Sequence, residues 1–179
     1  MKRLYVFIPL LILQSCIPLR IAPNIETDKV MVAKKFKRKL PKQNAFIFED
    51  PKDANEFYHF VNTKFELYHQ DVEFNVPFMI NDREFYFSFH EVEIPTKTFN
   101  ILPIFIDAAL TNSDMDPMFE DNYFSRIGNW YIVVTVNDEA FNDALAENYV
   151  ERKDIIKYLQ HMRKEYLSTD NYLEALFKK

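Results

Sequence analysis

The chain of 179 residues contains one glycine and one cysteine. Globular chains average about 7% glycine, so roughly a dozen would be ordinary at this length. Phosphate-cradling loops of the G-x-G-x-x-G and G-x-x-x-x-G-K-[ST] kinds need several glycines, because the backbone must approach the ligand where no Cβ intrudes. The G-x-S-x-G turn that presents a nucleophilic serine needs two. None of these can be built here. A single cysteine excludes an intrachain disulfide and any zinc or iron–sulfur site with several cysteine ligands. Long apolar runs are missing as well. The longest, Leu4 to Leu13 with Pro9 inside it, would make about 15 Å of helix, half a bilayer core.

That short run has a particular setting. Met1-Lys2-Arg3 is a basic start, the apolar stretch follows, and Gln14-Ser15 precede Cys16. Basic residues, then 7–15 apolar residues, then a small residue before a cut is the layout of a secretory signal peptide. The tetrad Leu13-Gln14-Ser15-Cys16 resembles the lipobox of bacterial lipoproteins, with Gln14 where a small or β-branched residue is commoner. The resemblance implies cleavage before Cys16, a diacylglycerol thioether on its sulfur and acylation of the new amino terminus. Two or three acyl chains suffice for stable anchoring. Ile17 stands where Asp would imply inner-membrane retention, so the resemblance implies an outer-membrane anchor. No acidic cluster follows the cysteine, which favours the periplasmic face. The expected organisation is a signal peptide over 1–15, a lipidated tether over 16–28 and a single domain over 29–179, with a basic arm or strand at 29–42.

Charge is unevenly placed. The net charge is −5, yet residues 16–42 carry eight basic and two acidic residues, and residues 43–179 carry twelve basic and 25 acidic ones. A basic segment joined to an acidic body reads as an interaction arm. Its densest part is Lys34, Lys35, Lys37, Arg38 and Lys39. Near an anionic bilayer each such cation contributes about 1 kcal/mol of attraction. Membrane phosphates or an envelope protein are the expected partners, and nucleic acid is not expected for an exported chain. The alternative is that the arm pairs with the acidic body.

The periodicities predict an α+β domain, an antiparallel sheet of about four to six strands with helices packed on one face. Asp28–Leu40 reads as one strand and Ala45–Phe48 as a second. Asp50-Pro51 reads as a helix start, an acidic cap followed by proline in the first helical position. Phe57, Tyr58, Val61 and Phe65 then form one helical stripe. Phe74–Ile80 leads through Asn81-Asp82, a two-residue hairpin turn, into Glu84–Ile94. There Phe85, Phe87 and Phe89 share a face, and the alternation changes phase near His90-Glu91. Pro95-Thr96-Lys97 reads as a turn before a strand over 98–107, and Gly128 as turn chemistry before the buried strand Trp130–Val136. Ile155, Leu159, Met162 and Tyr166 mark a helix, and Asp170 can cap a last short one.

Little in the chain has catalytic spacing. His59, His69, His90 and His161 include no i, i+3 or i, i+4 pair, so no helical metal site is expected. Asp114, Asp116, Glu120 and Asp121 form the densest acidic loop and are weak calcium candidates, because Met118 and Phe119 stand where a calcium loop needs a donor and a glycine. No catalytic residue and no cofactor are assigned. The 18 Phe, 10 Tyr and one Trp are expected to fill the core, with Tyr58, Tyr86, Tyr123, Tyr131 and Tyr149 available for contacts. The expected function is therefore non-catalytic: a lipid-anchored envelope protein that binds or scaffolds another envelope component. A small-ligand module for lipid or sugar is the second reading, and a cell-wall glycan hydrolase using paired carboxylates the third.

Overall fold

The computed structural model describes residues 16–53, 55–100, 107–108, 110–111, 124–169 and 172. Within them the chain runs β1 (Cys16–Arg20), β2 (Lys29–Val32), α1 (Ala33–Phe36), β3 (Asn44–Asp50), α2 (Glu56–Lys64), β4 (Val76–Ile80), β5 (Arg83–Asn100), β6 (Phe124–Asp138) and α3 (Arg152–Ser168). This is an α+β fold built on an antiparallel sheet, as the periodicities predict.

The described residues group into two compact units, one drawn from the spans 1–23 and 94–129, the other from 24–93 and 130–179. In the smaller, β1 pairs antiparallel with the end of β5, from Cys16↔Asn100 to Arg20↔Lys97, with a register shift between Pro18 and Arg20. The Thr96 hydroxyl accepts the Ala22 amide at 3.0 Å. In the larger, the sheet order is β4-β5-β6-β3-β2.

The larger unit buries both faces of its sheet. Side chains alternate along a strand, so cross-strand partners share a face. Phe46↔Val134 and Phe48↔Ile132 point one way, and Ala45↔Thr135 and Ile47↔Val133 the other. The first face meets α2 and α3. Phe57 of α2 sits edge-on to Phe89 at 4.8 Å and to Tyr166 at 5.0 Å, the T-shaped geometry that the ring quadrupole favours. Phe46, Phe48, Phe57, Phe60, Phe85, Phe87 and Phe89 are all buried, so these phenylalanines fill the core. On the second face Ala33 is fully buried, and the Phe36 ring stands edge-on to Tyr131 at 5.1 Å.

Several sequence expectations need correction. The segment 29–40 is not one strand: β2 ends at Val32, and α1 begins with Ala33, whose amide is taken by the Gln43 carbonyl. The expected tether contains β1, paired to β5 from its first residue. Asp50 does not cap a helix. It ends β3, and α2 begins at Glu56 after Asn55 in a left-handed conformation. Pro95-Thr96-Lys97 does not turn, since β5 runs through it. Pairing to β1 begins only at Lys97, so that edge asks no donor of Pro95. Gly128 lies within β6 and has no positive φ. The expected phase change in β5 is present: buried positions are 85, 87 and 89, then 92 and 94.

With glycine so scarce, left-handed backbone falls to other residues. Asn55, Asp71, Asn75, Asn81 and Asp82 have positive φ, as do Glu66, Tyr68, His69 and Phe141. Asn and Asp tolerate this region best among residues with a Cβ. Asn81 and Asp82 at φ 48° and 61° make the expected hairpin turn between β4 and β5, with Ile80 opposite Arg83.

Candidate functional site

The basic tract lies on α1 and the turn after it. Ala33 and Phe36 fix this segment to the sheet, the Lys37 amide donates to the Ala33 carbonyl at 3.0 Å, and the Leu40 amide to the Lys37 carbonyl at 3.0 Å. Lys34, Lys35, Arg38 and Lys39 project into solvent. Lys37 is half-buried and its ammonium donates to the Glu93 carbonyl at 3.1 Å. No ion pair with a carboxylate involves these five cations among the described residues. Four exposed cations are thus held on a knob whose backbone is tied to the sheet.

A second polar cluster was not legible as a site. At the end of β3 the buried Asp50 carboxylate accepts the Tyr166 hydroxyl at 2.9 and 3.0 Å and the Lys52 amide at 3.1 Å. The Lys52 ammonium donates to the Thr169 carbonyl at 2.6 Å and lies over the Tyr166 and Tyr172 rings, 4.8 and 5.3 Å from their centroids. Tyr172 donates to Glu56, and the Asn55 amide to Glu91 at 3.3 Å. Burial pushes the Asp50 carboxyl above its ordinary range, against the lowering pull of its donors, and the Glu91 charge pushes the same way. Burial likewise drives the Tyr166 phenol strongly up, and the Asp50 charge adds to it. A raised buried carboxyl can mark an acid–base group, but the cavity beside Asp50 measures only about 10 Å³, room for one water at most. A proton relay to a substrate needs more space than that, so Asp50 reads as a structural buried carboxylate.

The remaining sequence candidates fall as follows. The backbone of Cys16 opens β1 opposite Asn100. Asp114, Asp116, Glu120, Asp121 and Tyr123 lie outside the described residues. Of the histidines, His59, His69 and His161 are exposed, and His69 stacks on Tyr58 with Nδ1 3.2 Å from its hydroxyl. His90 is half-buried, and burial lowers its pKa despite the nearby Glu73 charge. Among the described residues no three His, Cys, Asp or Glu side chains are grouped to hold a metal ion. Two of the tyrosines expected to offer contacts are already committed: Tyr131 is fully buried, and Tyr149 donates to Asp138 at 2.9 Å. Compared with known proteins, the chain matches no family model, no curated protein and no solved structure.

Proposed function

We propose that the chain is a lipid-anchored protein of the bacterial cell envelope, held in the outer membrane through acyl chains on Cys16 and facing the periplasm. In this reading it is non-catalytic and binds or scaffolds another envelope component. The observation that carries the proposal is the basic start, the ten-residue apolar run and Leu13-Gln14-Ser15-Cys16 in direct succession. The exposed knob of Lys34, Lys35, Arg38 and Lys39 supports it. At about 1 kcal/mol each, four cations strengthen attachment to an anionic surface by roughly three orders of magnitude. No helix among the described residues is long and apolar enough to cross a membrane, so attachment in this reading falls to the acyl chains and the cations. Exposed Tyr68, Phe74 and Phe141 offer apolar contacts to an envelope partner.

Metabolic labelling with a tritiated fatty acid tests the anchor. Wild type is expected to incorporate label, Cys16→Ala to incorporate none, and inhibition of lipoprotein signal peptidase to accumulate the uncleaved precursor. Processing of Cys16→Ala at the wild-type rate would show the anchor reading to be wrong.

A further inference from the structure

The solvent side of α3 carries a second basic feature that the proposed function does not use. An open groove of about 580 Å³ runs between α3 and the β4–β5 hairpin, with Met79, Ile80 and Tyr158 along it and Lys157, His161 and Lys164 at its rim. Lys157, His161 and Lys164 are spaced i, i+4 and i+7, so the helix sets them in one row about 10 Å long. All three are exposed.

Two observations set this row apart. The first is its charge. Residues 43–179 hold 25 carboxylates against twelve cations, so two lysines and a histidine in one helical row make a local basic strip on an acidic unit. On other surfaces of the same unit Lys64 pairs with Glu165 at 2.8 Å, Arg83 with Glu151 and Arg163 with Asp28 at 3.9 Å. Lys157 and Lys164 make no ion pair among the described residues. The carboxylate within the groove, Asp154, accepts instead from the Asn81 amide of the hairpin turn at 3.3 Å. The second is the apolar wall. Met79, on β4, is 57% exposed and lines the groove, whereas Phe78 and Val76 of the same strand are buried. Tyr158 stacks on Phe78 at 4.6 Å, which fixes the groove's floor. Burial pushes the Tyr158 phenol up to about 12, so it stays neutral.

A cationic rim over an apolar trough suits a ligand with one anionic end and one apolar end. We propose that this groove binds an anionic amphiphile, a phosphate or carboxylate group carried on an alkyl chain. The anion sits between Lys157 and Lys164, His161 adds a ring donor, and the chain lies along Met79, Ile80 and Tyr158.

Titration of the full chain carrying Cys16→Ala tests this without reference to the anchor, since no acyl chain on the protein competes. The probes are dodecyl phosphate below its micelle threshold, inorganic phosphate and dodecyl maltoside, with NMR shifts of the Met79 methyl and Tyr158 ring as readout. Dodecyl phosphate is expected to bind at least tenfold tighter than either other probe. Lys157→Gln with Lys164→Gln is expected to weaken it at least tenfold, and Met79→Ser to weaken it while leaving the inorganic phosphate response unchanged. Each variant's thermal transition checks that the fold persists, and surface positions keep that risk small. Equal binding of inorganic phosphate would remove the apolar half of the proposal. Equal binding of dodecyl maltoside, or dodecyl phosphate binding indifferent to the lysine changes, would remove the anionic half. Absence of dodecyl phosphate binding would overturn the whole.

Discussion

Asp50 and Asp138 end strands β3 and β6, and both are more than nine-tenths buried with a tyrosine hydroxyl on the carboxylate. Their protons nevertheless respond in opposite ways. Burial acts to raise both. At Asp138 the donors prevail: the Asn142 side chain and amide, the Tyr149 hydroxyl and the Ala140 amide hold the carboxyl below its ordinary range. At Asp50 two donors face deeper desolvation and a neighbouring Glu91 charge, and the carboxyl rises. Exposed area alone therefore does not fix the direction. The number of donors does, together with the setting: Asp138 lines two open surface cavities of about 550 and 170 Å³, and Asp50 faces the aromatic core.

The largest test removes the well-served carboxylate. Asp138→Ala strands a tyrosine hydroxyl and three amide donors, so chemical denaturation is expected to show a loss of about 3 kcal/mol. Next, Tyr166→Phe leaves Asp50 with only the Lys52 amide, and a loss of about 2 kcal/mol is expected at neutral pH. That loss should shrink in acid, where Asp50 is protonated and its charge no longer needs the phenol. The third test reads linkage directly. A raised folded-state pKa means that the native protein binds the proton more tightly than the unfolded chain, so Asp50 detracts from stability above that pKa and ceases to as pH falls through it. Asp50→Asn is expected to stabilise by about 1 kcal/mol at pH 7 and to lose this advantage in acid. Asp138 has the opposite sign: its contribution is present above the ordinary carboxyl pKa and lost as pH falls through the lowered one. If Asp50→Asn and Asp138→Asn changed the pH profile of stability in the same sense, the contrast would fail. The smallest test concerns the loop that Asp138 holds. Phe141 is 80% exposed at φ 61° within it, and Phe141→Gly is expected to add about 0.5–1 kcal/mol by removing the left-handed penalty. A double-mutant cycle with Asp138→Ala should show coupling between the two.

Local signals were readable and long-range ones were not. The Phe85-Phe87-Phe89 alternation, its phase change and the Asn81-Asp82 turn depend on neighbours in sequence, and each appears where the pattern puts it. Asp50-Pro51 carries an equally clear local signal, yet Asp50 is drawn into the sheet by Tyr166, 116 residues away, which no window of sequence reveals. The Lys34–Lys39 charge run was visible as composition, but the contacts of Ala33 and Phe36 that turn it into a fixed knob were not. The α3 groove has no signature in the sequence, because its lysines sit at ordinary helical spacing and its apolar wall comes from a hairpin some 75 residues earlier.

The pairing of β3 with β6 also sets a clock on synthesis. Ala45 must wait for Thr135 and Phe48 for Ile132. At about 5–20 residues per second a ribosome takes roughly 4–18 s to cover that interval. For those seconds Phe46 and Ile47 have only β2 beside them, on a single edge of their strand, and Phe48 has no partner strand. A nascent chain of this sequence thus waits with the inner strand β3 half-paired, and whatever shields an apolar strand during that wait is as much a condition of the fold as the core that finally replaces it.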